Sequence, residues 1–267
     1  LISAVGYAAG DLFALACQAH VLVLKRTVLS DSLLISCPNL RLVYKLGILC
    51  DQIDMAAVRA REIAVHTIPL PSAVSVAEHT FCLILAVARH LLHGHQAVLH
   101  GQIQPGLLPQ RTTESLFSYN WAGLPPSTQL NGRVLGLIGM GEIGIQVATR
   151  ATAFGMKLLY YKRQRLSDDL EKQFGLSYHP LEGLISEADI VSLHVPYTPA
   201  TDKLLNCERL RLLKPSAIII NTARGGVIDE TALVDMLATG KLAGAGLDVY
   251  EYEPFPKAKS DVQSSAD

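Results

Sequence analysis

The sequence predicts an α/β protein, with a doubly wound parallel sheet in the second half of the chain and a smaller α/β domain before it. Three observations carry this reading. Short apolar runs alternate with helical stretches along both halves, the pattern of successive βαβ units. Gly139-Met140-Gly141-Glu142-Ile143-Gly144 follows the apolar run Val134–Ile138 and opens a helical stretch, so a G-x-G-x-x-G string stands between strand and helix. Gly155 and Gly240 sit where helices should stop.

The elements follow in order. Asp11–His20 reads as helix, Val21–Leu24 as strand, Asp31–Ser36 as a short helix and Arg41–Leu46 as strand. Met55–Arg61 is helix and Ile63–His66 a short strand, which makes a small parallel layer over about residues 1–72. Ser75–Leu99 is a long helical segment with apolar Val76, Leu83, Val87 and Leu91. Residues 101–130 are rich in Gly, Pro, Ser, Thr and Gln and hold the only Trp, Trp121, as a linker or functional loop would. Strands are then expected at Val134–Ile138, Met156–Tyr161, Ile190–Val195, Ala217–Asn221 and Ala245–Val249. Helices are expected around Ile143–Phe154, Asp168–Phe174, Leu181–Ile185, Cys207–Leu213 and Glu230–Thr239. Behind the glycine-rich turn, Ile143, Val147, Ala148, Ala151 and Phe154 share one apolar helical face. The expected domains are 1–99, with 75–99 as connecting helix, a linker or loop at 100–130, a nucleotide-binding domain at 131–253, and a polar, aperiodic tail at 254–267.

Composition narrows the function. With 267 residues, 49% of them apolar and 18% charged, the chain can bury a sizeable core. A net charge of −1 leaves no electrostatic footprint for nucleic acid or an anionic membrane. No uninterrupted apolar run reaches the ~18 residues that cross a bilayer, and no signal peptide is readable. The five cysteines are scattered without a C-x-x-C, which reads as reduced thiols in a cytoplasmic protein. No metal site is expected, since His93-x-His95 comes with no further ligand set.

The glycine turn has a specific chemistry. Gly139 permits a tight turn, Gly141 lets backbone N–H groups approach a pyrophosphate, and Gly144 lets helix and strand pack closely. The helix N-terminus adds unpaired N–H groups and a partial positive charge. Dinucleotide binding is the expectation.

A second constellation lies at the ends of later strands. Ala217–Asn221 runs into Thr222-Ala223-Arg224-Gly225-Gly226-Val227-Ile228-Asp229-Glu230. Ala245–Val249 contains Asp248 and leads to Glu251-Tyr252-Glu253-Pro254. Together with Ser75-Val76-Ala77-Glu78-His79-Thr80 and Leu193-His194-Val195-Pro196, these strings resemble the D-isomer-specific 2-hydroxyacid dehydrogenase family over about residues 11–256. The resemblance implies a Rossmann domain with a flavodoxin-like substrate domain, NAD or NADP as cofactor, a small 2-oxo or 2-hydroxy acid as substrate, and a homodimer. Glyoxylate or hydroxypyruvate reductase is the favoured relative, with a phosphoglycerate dehydrogenase-like activity open.

The resemblance also implies roles. Arg224 would hold the substrate carboxylate and polarise the carbonyl, a task that suits a permanently charged bidentate guanidinium. Glu253 would pair with a catalytic histidine. Asp248 would contact the nicotinamide carboxamide, and the amides of Glu142 and Ile143 the pyrophosphate. Thr222 and Ala223 would lie near the nicotinamide ribose, Val195 and Pro196 under the adenosine, and Val76 and Thr80 toward the nicotinamide. Leu46-Gly47-Ile48-Leu49 would hold the substrate carboxylate with backbone N–H groups.

Three departures from the family pattern stand out. Lys162 occupies the position of the acidic residue that binds a ribose 2′-hydroxyl, and Arg163 and Arg165 follow, which favours NADP over NAD. Leu49 replaces a glycine of the substrate loop, so its β-carbon is expected to narrow the carboxylate pocket or to force another backbone angle. The family's histidine, about twenty residues past the glutamate, is not in this sequence, because all nine histidines lie upstream of Glu253. The chain therefore reads as a family member cut at both ends; the alternative is a non-catalytic dinucleotide-binding module that senses cofactor or binds a partner.

Overall fold

The computed structural model describes residues 9–25, 27–50 and 52–254, with 9–13 described by backbone alone. The tail expectation falls, from residue 255 on, outside the described residues, as does 1–8. The chain divides into two units, Leu1–Val74 and Ser75–Asp267.

The first unit contains α1 (Ala9–Gln18), β1 (Val21–Leu24), α2 (Asp31–Ile35), β2 (Leu42–Leu46), α3 (Met55–Ala60) and β3 (Ala64–Ile68). The strands pair in parallel in the order β1-β2-β3, with Val21 beside Leu42 and Leu42 beside Ala64. Helices this short need help at their ends. Ser30 Oγ accepts from the Leu33 N–H, and Asp54 Oδ1 accepts from the Ala57 N–H at 2.9 Å. Each such cap contributes about 1 kcal/mol. Leu34, Leu40, Val43, Val58 and Ile63 close the core.

The second unit starts within α4 (Pro71–Ala88) and continues through α5 (Leu91–Leu99) into an irregular arm. It then alternates through β4 (Val134–Ile138), α6 (Glu142–Ala153), β5 (Lys157–Tyr161), α7 (Asp168–Phe174), β6 (Leu176–Tyr178) and α8 (Leu181–Glu187). It ends with β7 (Ile190–Leu193), α9 (Cys207–Leu210), β8 (Ile218–Asn221), α10 (Glu230–Ala238) and β9 (Gly244–Leu247). All six strands are parallel, in the order β6-β5-β4-β7-β8-β9. Counted from β4, this is the 3-2-1-4-5-6 order of a doubly wound sheet, and its topological switch lies between β4 and β7. One face is sealed by Leu184, Leu210 and Leu233 of α8, α9 and α10 over Val191, Leu193 and Ile219. The other carries α4 and α6; the Phe81 ring of α4 stacks at 5.0 Å on that of Phe154, which caps the C-terminus of α6.

Four local differences from the sequence reading have physical causes. The single helix expected at 75–99 is two helices, because His90 adopts a left-handed conformation (φ 52°, ψ 42°) and α5 restarts there. In α6 it is Ile145, not Ile143, that is fully buried beside Val147, Ala148 and Ala151. β6 was not expected; three residues, Leu-Ser-Tyr, carry too little alternation to register. Finally, α4 is long and apolar enough by composition to cross a membrane, although no uninterrupted apolar run of that length exists. Here its Ala77, Thr80, Ile84 and Ala88 are buried in protein.

Candidate active site

The turn after β4 is built to leave space. Gly139 takes φ +99°, and a β-carbon there would collide with the carbonyl of His194 and with Val195. The turn therefore lies directly on the segment leaving β7, which brings Val195 and Pro196 to the switch point. A β-carbon on Gly144 would strike the carbonyl of Gly139, so close helix–strand packing also depends on glycine. Gly141 differs from both. It is the N-cap of α6, provides no side-chain cap, and a β-carbon on it would meet no protein atom within 4 Å. The N-terminus of α6, the positive end of a 12-residue helix, thus opens with its first-turn amides on a cradle that no side chain fills at Gly141. A pyrophosphate fits that donor set and that space.

Beyond β5, Lys162 is half-buried and Arg163 exposed. Arg165 is committed elsewhere: its Nε and Nη2 bind the two Glu171 carboxylate oxygens at 2.8 and 2.7 Å. Lys162 and Arg163 are the other two cations of this turn.

The segment after β8 is shaped by Asn221, which is 1% exposed. Its Nδ2 donates to the Arg224 carbonyl at 2.9 Å, and its Oδ1 accepts from the Ala223 N–H at 3.0 Å. Sequence reasoning missed this role; the signal was an Asn closing an otherwise apolar strand. Arg224 is exposed and its guanidinium donates to the Ala223 carbonyl. The two following glycines allow close approach: β-carbons there would collide with the Tyr250 backbone and the Tyr197 ring. The Arg224 loop is thereby seated against the loop leaving β9. In that loop Glu253 is exposed and accepts from the Tyr250 N–H at 2.9 Å. Among the described residues no histidine pairs with Glu253.

Asp248 is exposed and lies 3.3 Å from His79 Nε2 on α4. The next residue, Thr80, has no exposed surface. Its hydroxyl donates to the Val76 carbonyl at 2.8 Å, so the Thr222 hydroxyl donates to it at 3.0 Å. Thr80 thus supports buried Thr222 and in this arrangement does not itself face a ligand, contrary to the expectation for it. Val76 is half-buried on the same helix, and Ala223 half-buried after Thr222. His194 was also missed. Its Nε2 lies 2.9 Å from Ser192 Oγ, its Nδ1 is buried without a partner, and burial pushes the imidazole down to about 3, so the ring is neutral.

In the first unit Leu46, Gly47 and Ile48 leave β2. Gly47 is buried at φ +109°, and its N–H is already donated to the Ile68 carbonyl at 2.7 Å, so that amide is not one that would hold a carboxylate. Leu49 is 8% exposed; its side chain is packed in protein, and it is not among the described residues with positive φ. Leu49 is thus accommodated without the left-handed backbone that a glycine would allow.

An open parallel sheet with an uncapped, glycine-lined helix N-terminus at its switch point defines a dinucleotide-binding α/β protein. Comparison with known proteins gives the family. The description "D-isomer specific 2-hydroxyacid dehydrogenase, NAD binding domain" matches residues 81–264. The chain is 40% identical over 219 residues to a glyoxylate reductase of Korarchaeum cryptofilum, covering 82% of this chain and 62% of that protein. It is 39% identical over 216 residues to a hydroxypyruvate reductase of Thermotoga maritima, covering 81% and 64%. Among solved structures it resembles the D-lactate dehydrogenase of Aquifex aeolicus, complexed with NAD and lactic acid, at 36% identity and a TM-score of 0.57, over 90% of this chain and 67% of that one. The chain belongs to the D-isomer specific 2-hydroxyacid dehydrogenase family. It spans about three fifths of the length of the curated relatives it matches.

Proposed function

We propose that the protein carrying this chain is an NAD(P)-dependent oxidoreductase that reduces a small 2-oxo acid, of the glyoxylate or hydroxypyruvate class, to the 2-hydroxy acid. The observation that carries this reading is the open Gly141 cradle at one strand end and the exposed Arg224 guanidinium at another, on the same edge of one parallel sheet. When bound, the nicotinamide supplies the hydride that reduces the carbonyl carbon. The residues of the chain bind, orient and polarise. The α6 amides hold the pyrophosphate, with Val195 and Pro196 walling the adenosine and Thr222 and Ala223 flanking the nicotinamide ribose. Asp248 accepts from the carboxamide, with Val76 nearby. The Arg224 fork grips the carboxylate and the carbonyl oxygen, where negative charge grows as hydride arrives. Glu253 orients a general acid, and Leu46 and Ile48 contribute to the substrate loop. Lys162 and Arg163 favour NADP(H) over NAD(H) by facing a 2′-phosphate.

The exposed apolar side chains of α5 and the arm, among them Leu92, Leu99, Leu108, Phe117, Tyr119 and Trp121, support a homodimer. Five free cysteines support a cytoplasmic setting. The test is 2-oxo acid-dependent NADPH oxidation by the full protein. Arg224→Ala should lower kcat by about 10²–10³-fold, the usual cost of removing one oxyanion donor. Unchanged turnover would contradict the assignment.

A further inference from the structure

Helix α4 crosses strand β9 in a fixed register. Its residues 79, 83 and 87 share one face, four residues apart. A β-carbon on Gly244 would meet Val87, and one on Gly246 would meet Leu83 at 3.0 Å. Two residues further along the strand, Asp248 meets His79 at 3.3 Å. Steps of two along a strand are about 6.6 Å and steps of four along a helix about 6 Å, so the two rows stay matched and run in opposite senses. The absence of side chains at Gly244 and Gly246 lets α4 lie directly on β9, and the buried Thr80–Thr222 hydroxyl pair locks the helix against the neighbouring strand end.

The outer end of this row is the only polar step. His79 and Asp248 are each about half exposed, at 45% and 49%. An ion pair so exposed contributes little to stability. Its consequence is orientation: it fixes one rotamer of a carboxylate at the sheet's C-terminal edge.

We infer that His79 is a positioning residue, which holds the Asp248 carboxylate in the direction that receives the nicotinamide carboxamide. This rests on the dinucleotide reading above. The imidazole Nε2 lies 3.3 Å from one carboxylate oxygen, Asp248 Oδ1, and leaves the other for the ligand.

The experiment compares ligands that differ only in the nicotinamide: NADH against ADP-ribose, and NADPH against 2′-phospho-ADP-ribose, by calorimetry on the full protein. His79→Leu should weaken NADH and NADPH by about three- to tenfold, the scale of ordering one side chain on binding, and leave the two nicotinamide-free ligands unchanged. His79→Gln, which keeps a donor near the Nε2 position, should recover most of the loss. Equal binding of all four ligands by His79→Leu and wild type overturns the role. Equal weakening of all four makes His79 merely structural and also overturns it. If wild type binds none of the four, the dinucleotide reading fails and the inference fails with it. If wild type binds all four and His79→Leu changes nothing, only the positioning role is lost.

Discussion

Lys162 and Arg163 follow β5, where we propose that they meet a 2′-phosphate, and Arg165 is withdrawn from that duty by its fork on Glu171. A charge-assisted contact to phosphate contributes on the order of 1–3 kcal/mol, so NADPH should bind roughly 5- to 150-fold more tightly than NADH. Lys162→Asp should reverse the order, since a carboxylate repels the phosphate and accepts from the hydroxyl. Competitive titration of the two cofactors measures this, and a tenfold wild-type preference for NADH would leave the basic turn merely solvated. At the same scale, the triad of cations after β5 was readable from sequence, but its division of labour was not. Nothing local distinguishes Arg163 from Arg165 until α7 folds back and presents Glu171.

That fold-back is a property of elements. The joint between β5 and α7 is a buried polar knot: Glu171 accepts from Arg165 and from the Tyr160 hydroxyl, and the Tyr160 oxygen accepts from the Leu166 N–H at 2.9 Å. The Arg165 and Tyr160 hydrogen bonds hold the Glu171 carboxyl down to about 2. Burial, and then the bond to Glu171, push Tyr160 up to about 12. The unfolded chain takes up the Glu171 proton first, near its ordinary value of ~4.3. The stabilisation is therefore complete above about pH 4.3 and is lost as pH falls toward about 2. Glu171→Gln should flatten that part of the acid limb, read as Tm against pH; parallel curves for both proteins would show that the knot adds no pH dependence.

Elements were the most legible level. Alternation of apolar runs with helical stretches located five of the six strands of the larger sheet, because buried parallel strands such as Ile218–Asn221 are apolar on both faces. Short β6 escaped, and the break at His90 carried no Gly or Pro to mark it. Contacts between elements were less legible still. His79 and Asp248 lie on α4 and past β9, and only the glycines opposite Leu83 and Val87 show why they meet.

For the whole molecule, dinucleotide binding would depend on one cradle. The strand order β6-β5-β4-β7-β8-β9 places the α6 N-terminus at the switch point, and Gly141 leaves that place empty of side chain. The G-x-G-x-x-G spacing pointed there from sequence because each glycine has its own steric reason; the roles of Asn221 and His194 stayed hidden because they depend on neighbours brought in by the fold. The most direct measurement is fluorescence titration of NADPH and NADH into wild type and Gly141→Val. Wild type should bind, and the branched side chain should weaken both cofactors roughly 5- to 150-fold, since filling a close-packed approach costs about 1–3 kcal/mol. Equal affinity of the two proteins would contradict the claim that this turn is where the dinucleotide lies.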